Sequence, residues 1–513
     1  MVSTTPVRGG VPRTRAGSGL TPDGRLKHGK LAGLSMRTAI WRLSWPILVE
    51  SFLTSTVVMT DTVLAAGLSD GEAATDAIGA ASYIGWFLGL VVMAVGVGAT
   101  ALVSRAVGGG RRAVADAACS QSLVLIAAAT IVAGGIVAAL ANQIAPLFRL
   151  EGASREMFTR YLVTIGAAMP LTGILHAGLA CVRGAGDSRR PLLIMIVVNI
   201  VNAVASFILS GAPLKQARMI EGVPTPHILL ENSFGFGWGV TGIAVGTMLS
   251  SLVGAVLVLG LLTTGVSGVR ARSHRLRPHR TTMWRLINLA WPGFLETMGL
   301  WFGNVVVMLF VARLGIEGAM GSHIVAIRIE SFSFMPGFAM GVAAATLVGQ
   351  YLGAGSAKHA SRAAWVCTGI ATGVMGVIGA LIAVFPVRAT GIFTSVPQHL
   401  ATVPDVLVIA GALQAPFAIS LVMRAALRGA GDVRAVMWLM WITTYAIRVP
   451  LVWLISGVTL ELPAWLGGGT IPAPFGLEPS LNRLWLALML ELVVRGGLFL
   501  ARFLQGKWRT ARA

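Results

Sequence analysis

A chain of 513 residues that is 55% apolar and only 12% charged, with a mean hydropathy of +0.78, lies far from soluble domains, where about a quarter of residues are charged. A soluble enzyme is excluded. The net charge of +20 would suit a nucleic-acid binder in a soluble chain, but here Lys and Arg sit in short clusters between long apolar runs, the pattern of cytoplasmic loops, so the expected partner is the lipid bilayer and not nucleic acid.

The first 38 residues are polar and rich in Gly, Pro, Thr and Arg, and read as a disordered, basic cytoplasmic tail. No short apolar stretch with a cleavage site precedes the first long apolar run, so that run is expected to target the chain and stay in it. Twelve apolar runs then follow at 39–66, 77–104, 114–142, 157–180, 190–211, 236–264, 284–312, 323–351, 361–387, 402–424, 435–456 and 484–505. Each is long enough to cross about 30 Å of hydrocarbon as a helix. The reading is an all-α polytopic membrane protein with an N-terminal six-helix lobe (39–264), a basic linker (265–283), a C-terminal six-helix lobe (284–505) and a short tail (506–513). With both termini inside, 28 of the 40 Lys and Arg fall on cytoplasmic segments and only 8 on outer loops, and this bias sets the orientation. Cys119, Cys181 and Cys367 show no paired spacing and read as small buried residues.

The chain repeats itself. Arg183-Gly-Ala-Gly-Asp187 returns verbatim as Arg428-Gly-Ala-Gly-Asp432, at an offset of 245. Trp45-Pro46 with Glu50 returns as Trp291-Pro292 with Glu296, and Leu102-Val103 with Gly108 and Gly110 as Leu347-Val348 with Gly353 and Gly355, at offsets of 246 and 245. Three anchors in one order make two homologous halves, and an even number of spans per half relates them by an axis along the membrane normal. In the two loops the Arg is a positive-inside anchor, and the Asp either caps the following helix or pairs with that Arg.

Leu43-Ser-Trp-Pro46 followed by Asp61-Thr62, Leu102-Val-Ser-Arg-Ala-Val-Gly108, and Val182-Arg-Gly-Ala-Gly-Asp187 with Pro191, Asn199 and Asn202 downstream together resemble the multidrug and toxic compound extrusion (MATE) family, over residues 39–505. The resemblance implies a V-shaped pair of six-helix bundles, a central cavity and cation-driven export by alternating access, with no cofactor beyond a coupling H⁺ or Na⁺. It makes Asp61 the proton site of the first lobe, with Asn199 and Asn202 as its polar partners, although either Asn also serves as glue between helices. The repeat position of Asp61 is Val307, so ion chemistry is expected in one lobe only. The tenth span offers only Asp405, at its outer mouth, which favours proton over sodium coupling.

Ionisable groups inside spans are costly and point to function. Glu50 lies eleven residues before Asp61 and shares its helix face, and Glu296 is its repeat counterpart. The pair is expected to line the cavity and attract cations. Met59, Met298, Trp301 and Met335, with Trp86, Phe87, Phe302, Met308 and Phe332, suit a promiscuous cavity for organic cations. Glu491 and Arg495, four apart, are expected to neutralise each other. Arg328 and Glu330 cannot share a face, and either meets Arg448 or Glu296 on another helix; His176 is a core residue or a relay. The rival readings are a flippase for a lipid-linked oligosaccharide, from the same superfamily, and an intramembrane enzyme. No His-Glu-x-x-His, Gly-x-Ser-x-Gly or Walker loop supports the enzyme. The chain is expected to act as a monomer.

Overall fold

The computed structural model describes residues 19–511 apart from 221, 222, 235, 395 and 463–468. The first half holds α1 (Met36–Gly67), α2 (Gly71–Gly108), α3 (Arg112–Ile144), α4 (Gly152–Gly184), α5 (Arg189–Ser210) and α6 (Gly239–Thr264). A two-stranded hairpin, β1 (Leu214–Ile220) and β2 (Val223–Leu230), joins the last two. The second half repeats this with α7 (Arg280–Ala312), α8 (Ala319–Gly353), α9 (Ala357–Val384) and the short α10 (Pro386–Phe393). Then come α11 (Pro397–Ala412), α12 (Gln414–Gly429), α13 (Val433–Trp441), α14 (Val449–Ser456), the strands β3 (Leu460–Leu462) and β4 (Gly469–Ile471), and α15 (Leu481–Leu504). Hydrocarbon forces this all-helical solution, since each helix satisfies its own backbone.

Among the described residues eleven helices are long and apolar enough to span a membrane, counting α13–α14 as one, and α11 with α12, bent by 57°, makes the twelfth. All twelve expected spans are therefore present. Two are less regular than expected. The tenth breaks between Ala412 and Gln414, because Pro416 has no N–H to give the Ala412 carbonyl. The eleventh carries a π turn over Ile442–Arg448, just ahead of Pro450. The hairpin was not foreseen, and the repeat extends to it: β3 and β4 start 246 residues after β1 and β2.

Within each bundle the fourth span is central: α4 packs on α2, α3 and α6, and α12 on α8, α9 and α15. Between bundles α1 meets α8, α2 meets α7, and α2 meets α8 on the pseudo-twofold axis. At the face that carries both termini, glycines let α2 and α8 touch backbone to backbone. A Cβ on Gly108 would fall inside the Gln350 backbone, and one on its repeat mate Gly353 inside that of Arg105. Gly108→Val should therefore wedge this end open: spin labels at Arg111 and Lys358 should move apart and export should stop. An unchanged label distance would mean that the helices absorb the bulk by sliding.

Residues 1–38 were expected to be disordered, but from Gly19 onward they are not. Gly19 N–H donates to Ala354 O (3.2 Å), Thr21 and Arg25 close a turn, and Arg25 donates to Gly33 O (3.0 Å). Leu20, Leu26 and Leu31 are buried in a core that includes Leu347 and Tyr351 of α8. Three leucines in a polar segment are too few to register in composition, yet suffice to strap the segment across the bundle end. The other end of the chain docks there as well: Trp508 is fully buried on Phe503, and Ala511 O accepts from Arg105 (2.7 Å).

Candidate functional site

Asp61 is buried in α1, six residues short of the helix end. Its Oδ2 accepts from Tyr161 on α4 (3.4 Å) and from Thr247 on α6 (3.3 Å), and Thr247 Oγ1 in turn accepts from Asn202 Nδ2 on α5 (3.0 Å). Four helices thus converge on one carboxylate. Among the described residues no Lys, Arg or His forms an ion pair with it, and Asp61 Oδ1 and Asn202 Oδ1 are buried without a donor. A carboxylate in such a place is costly to hold charged without a cation beside it. Of the two asparagines, Asn202 belongs to this cluster through Thr247. Asn199 does not reach it: its Oδ1 accepts from Thr56 (3.0 Å) and its Nδ2 donates to Met195 O (2.7 Å), which ties α5 to α1 nearer the middle of the helix. Sequence reasoning missed Tyr161 and Thr247. The chain has only four Tyr, so one inside an apolar span was a signal; Thr247 offered none.

Glu50 and Glu296, expected to line the cavity and attract cations, are ion-paired. Arg183 Nη1 lies 2.6 Å from Glu50, and Arg428 grips Glu296 from two nitrogens at 2.6 and 2.9 Å, with Arg424 3.9 Å away. The repeated Glu and the repeated Arg-Gly-Ala-Gly-Asp loop are thus the two ends of one bridge, made once per bundle. A carboxylate neutralised in this way has little field left for a passing cation. Glu50→Gln and Glu296→Gln should accordingly weaken export of a cationic dye and of an uncharged analogue equally. A loss confined to the cationic dye would restore the cavity role.

The loops also reach across the seam. Gln350 and Arg105 are repeat mates, and each donates to the loop of the opposite bundle, Gln350 to Gly184 O (3.0 Å) and Arg105 to Ala430 O (3.5 Å). Neither Asp pairs with its own loop Arg. Asp187 caps the Arg190 N–H and pairs with that side chain at 2.5 Å, whereas Asp432 takes two bonds from Arg502 at 2.9 and 3.1 Å.

In the second bundle Glu491 pairs with Arg495 (2.6 Å), as expected, and also with Arg448 (3.0 Å), which sits at the end of the π turn and reaches Asn304 (2.8 Å). Among the described residues Glu330 makes no ion pair, although Arg448 acts on it at longer range; Gln414, at the break of the tenth span, donates to it at 3.4 Å. Arg328 is exposed, and His176 lies within electrostatic reach of Glu50 and Arg183.

The aromatic candidates divide. Phe87 of α2 meets Trp301 of α7 at 6.0 Å, with Phe302 beside Trp301 at 5.1 Å, and Phe332 of α8 meets Phe52 of α1 at 6.1 Å. These rings face each other between the bundles; Phe52 was not foreseen. Met298 and Met308 are half-buried nearby on α7. Met335 is buried in helix packing, while Met59 and Trp86 are largely exposed.

Two helix bundles related by an axis along the membrane normal, which close on each other at one end, with a buried carboxylate in the first that has no ion pair among the described residues, define a two-bundle secondary membrane transporter. The MatE family model matches residues 46–208 and again 292–454, once in each half, and the chain belongs to that family. It is 28% identical to the probable multidrug resistance protein NorM of Thermotoga maritima, over 92% of this chain and 93% of that one. It is also 23% identical to the multidrug resistance protein PmpM of Pseudomonas aeruginosa, over 84% and 85%. In fold it is similar to a solved outward-facing multidrug resistance MATE transporter of the MOP superfamily, with a TM-score of 0.76 at 18% identity, over 93% and 97% of the two chains.

Proposed function

We propose that the chain exports organic cations and drugs through the cell membrane by alternating access of lobes 39–264 and 284–505, driven by an inward flow of protons. The relatives named as multidrug resistance proteins support the export of small molecules. The observation that carries the coupling is Asp61, buried, held by two neutral hydroxyls and free of any described counter-cation. In this reading a proton arriving from outside neutralises the carboxylate, and its release to the inside leaves a charge that the next proton or the substrate answers. Thr247 and Asn202 fix the carboxylate in place, and Asn199 keeps α1 and α5 in register. The rings of Phe87, Trp301, Phe302, Phe52 and Phe332 offer flat faces to an amphipathic cation. The same reading places the strap, the linker and both termini in the cytoplasm.

The test is transport of a panel of cationic dyes in proteoliposomes with proton and sodium gradients imposed separately. Export with the proton gradient alone is expected; export with sodium alone would replace the coupling ion. Orientation is checked by cysteine labelling: a cysteine at Arg275 should react only from the cytoplasm and one at Ser69 only from outside, and reaction of both from one side would refute the arrangement.

A further inference from the structure

We propose that a cavity between the N-terminal strap and the first bundle binds a phosphate group, that of an acidic phospholipid or one free in solution, and thereby pins the strap to that bundle. The cavity has a volume of about 480 Å³ and is lined by His28 and Lys30 of the strap, Arg112 and Asp116 of α3, and Arg270 and Arg272 of the linker. Counting His28 as neutral, its charged lining carries three positive charges in excess of Asp116. Asp116 is fully engaged: Arg272 pairs with it at 3.2 Å and the Arg270 N–H donates to it at 2.9 Å. Arg270 also donates from its side chain to Thr263 O (2.7 Å). No hydrogen bond or ion pair within the described chain uses the side chains of His28, Lys30 or Arg112, so three donors on two separate segments share one hollow without an acceptor of their own.

The walls leave room for a bulky anion. The His28 ring packs on Gly110, while the floor at Gly268 is open, with the Lys30 stem only at van der Waals distance; both glycines have a positive φ (71° and 89°), where other residues are strained. The cavity also abuts the first turn of α3, whose amide N–H groups add to the positive potential. On the other side it opens at the end of the α6 span beside Val266, which is half exposed. Basic donors next to an apolar rim at the end of a membrane helix fit a headgroup whose acyl chains remain in the bilayer, and this favours the lipid source. A bound phosphate would bridge Lys30 and His28 to Arg112 and Arg270, and so fasten the strap whose leucines already pack on α8.

The full chain in nanodiscs tests this by hydrogen exchange of strap amides 19–34. Replacing part of the phosphatidylcholine by phosphatidylglycerol should slow that exchange about tenfold. Lys30→Gln, on the strap itself, and Arg112→Ala with Arg270→Ala should each abolish the slowing, while Arg434→Ala, an exposed basic residue outside the cavity, should keep it. Inorganic phosphate added to phosphatidylcholine discs should have little effect; if it matches phosphatidylglycerol, the phosphate-binding site stands and its source is soluble. An equal response from wild type and the cavity variants, or no response to either probe, would overturn the proposal.

Discussion

Asp61→Asn should reduce gradient-driven export to the level of empty vesicles while the purified protein melts within a few degrees of wild type. The amide keeps the shape of the carboxyl group and an oxygen to accept from Tyr161 and Thr247, so the packing of α1, α4 and α6 is preserved. It cannot be protonated and released in the same range, so the coupling step alone is removed. The stability change should be about 1 kcal/mol or less, because no charge partner is stranded. Exchange of dye without a gradient should survive. Gradient-driven export by the variant at the wild-type rate would sink the assignment, and a collapse in melting temperature would make Asp61 a packing residue.

The largest loss of stability is expected from Glu491→Gln. Glu491 is fully buried between Arg448 and Arg495, and its neutralisation leaves two guanidinium groups in the second bundle without a carboxylate in hydrogen-bond contact, held by the new amide oxygen, Asn304, Thr443 and Thr444. Breaking a buried pair in this way costs on the order of 3–5 kcal/mol, since the remaining charge keeps its desolvation penalty. The variant should express poorly and aggregate on mild heating in detergent. Removing one of the stranded cations as well, with Glu491→Gln and Arg495→Met together, should recover part of the loss. No recovery would show that the cations are solvated by other groups.

The number of spans, the duplication and the family were legible in the sequence because they depend on hydropathy and on a fixed offset, which survive substitution of individual residues. The partners were not. Glu50 and Arg183 stand 133 residues apart, and nothing in either neighbourhood says that the end of α4 returns to the middle of α1. The same anchors that revealed the repeat were therefore read as a cavity lining and a loop, when they are one bridge. Asp61 was legible as an acid in a span, and Asn202 as a neighbour, but the hydroxyls that hold the acid came from α4 and α6, where only the rarity of Tyr marked Tyr161 and nothing marked Thr247. The break at Gln414 was readable from Pro416. The strap was not, because its three leucines lie in a segment whose average composition is that of a solvated tail.

That strap, with the docked far end of the chain, gives the transport cycle an uneven resting point. The strap leucines share a core with residues of α1, α8 and α12, and Arg105 of α2 donates to Ala511 O, so both ends of the described chain bridge the seam; each strap leucine returned to water would cost about 1.5–3 kcal/mol when fully exposed. A single such leucine shifts the balance between the two access states by about tenfold or more. In the proposed cycle, idle molecules are then expected to rest with the strapped side shut and the opposite side open to the coupling ion, so that a substrate on the strapped side meets a closed door until that ion has arrived.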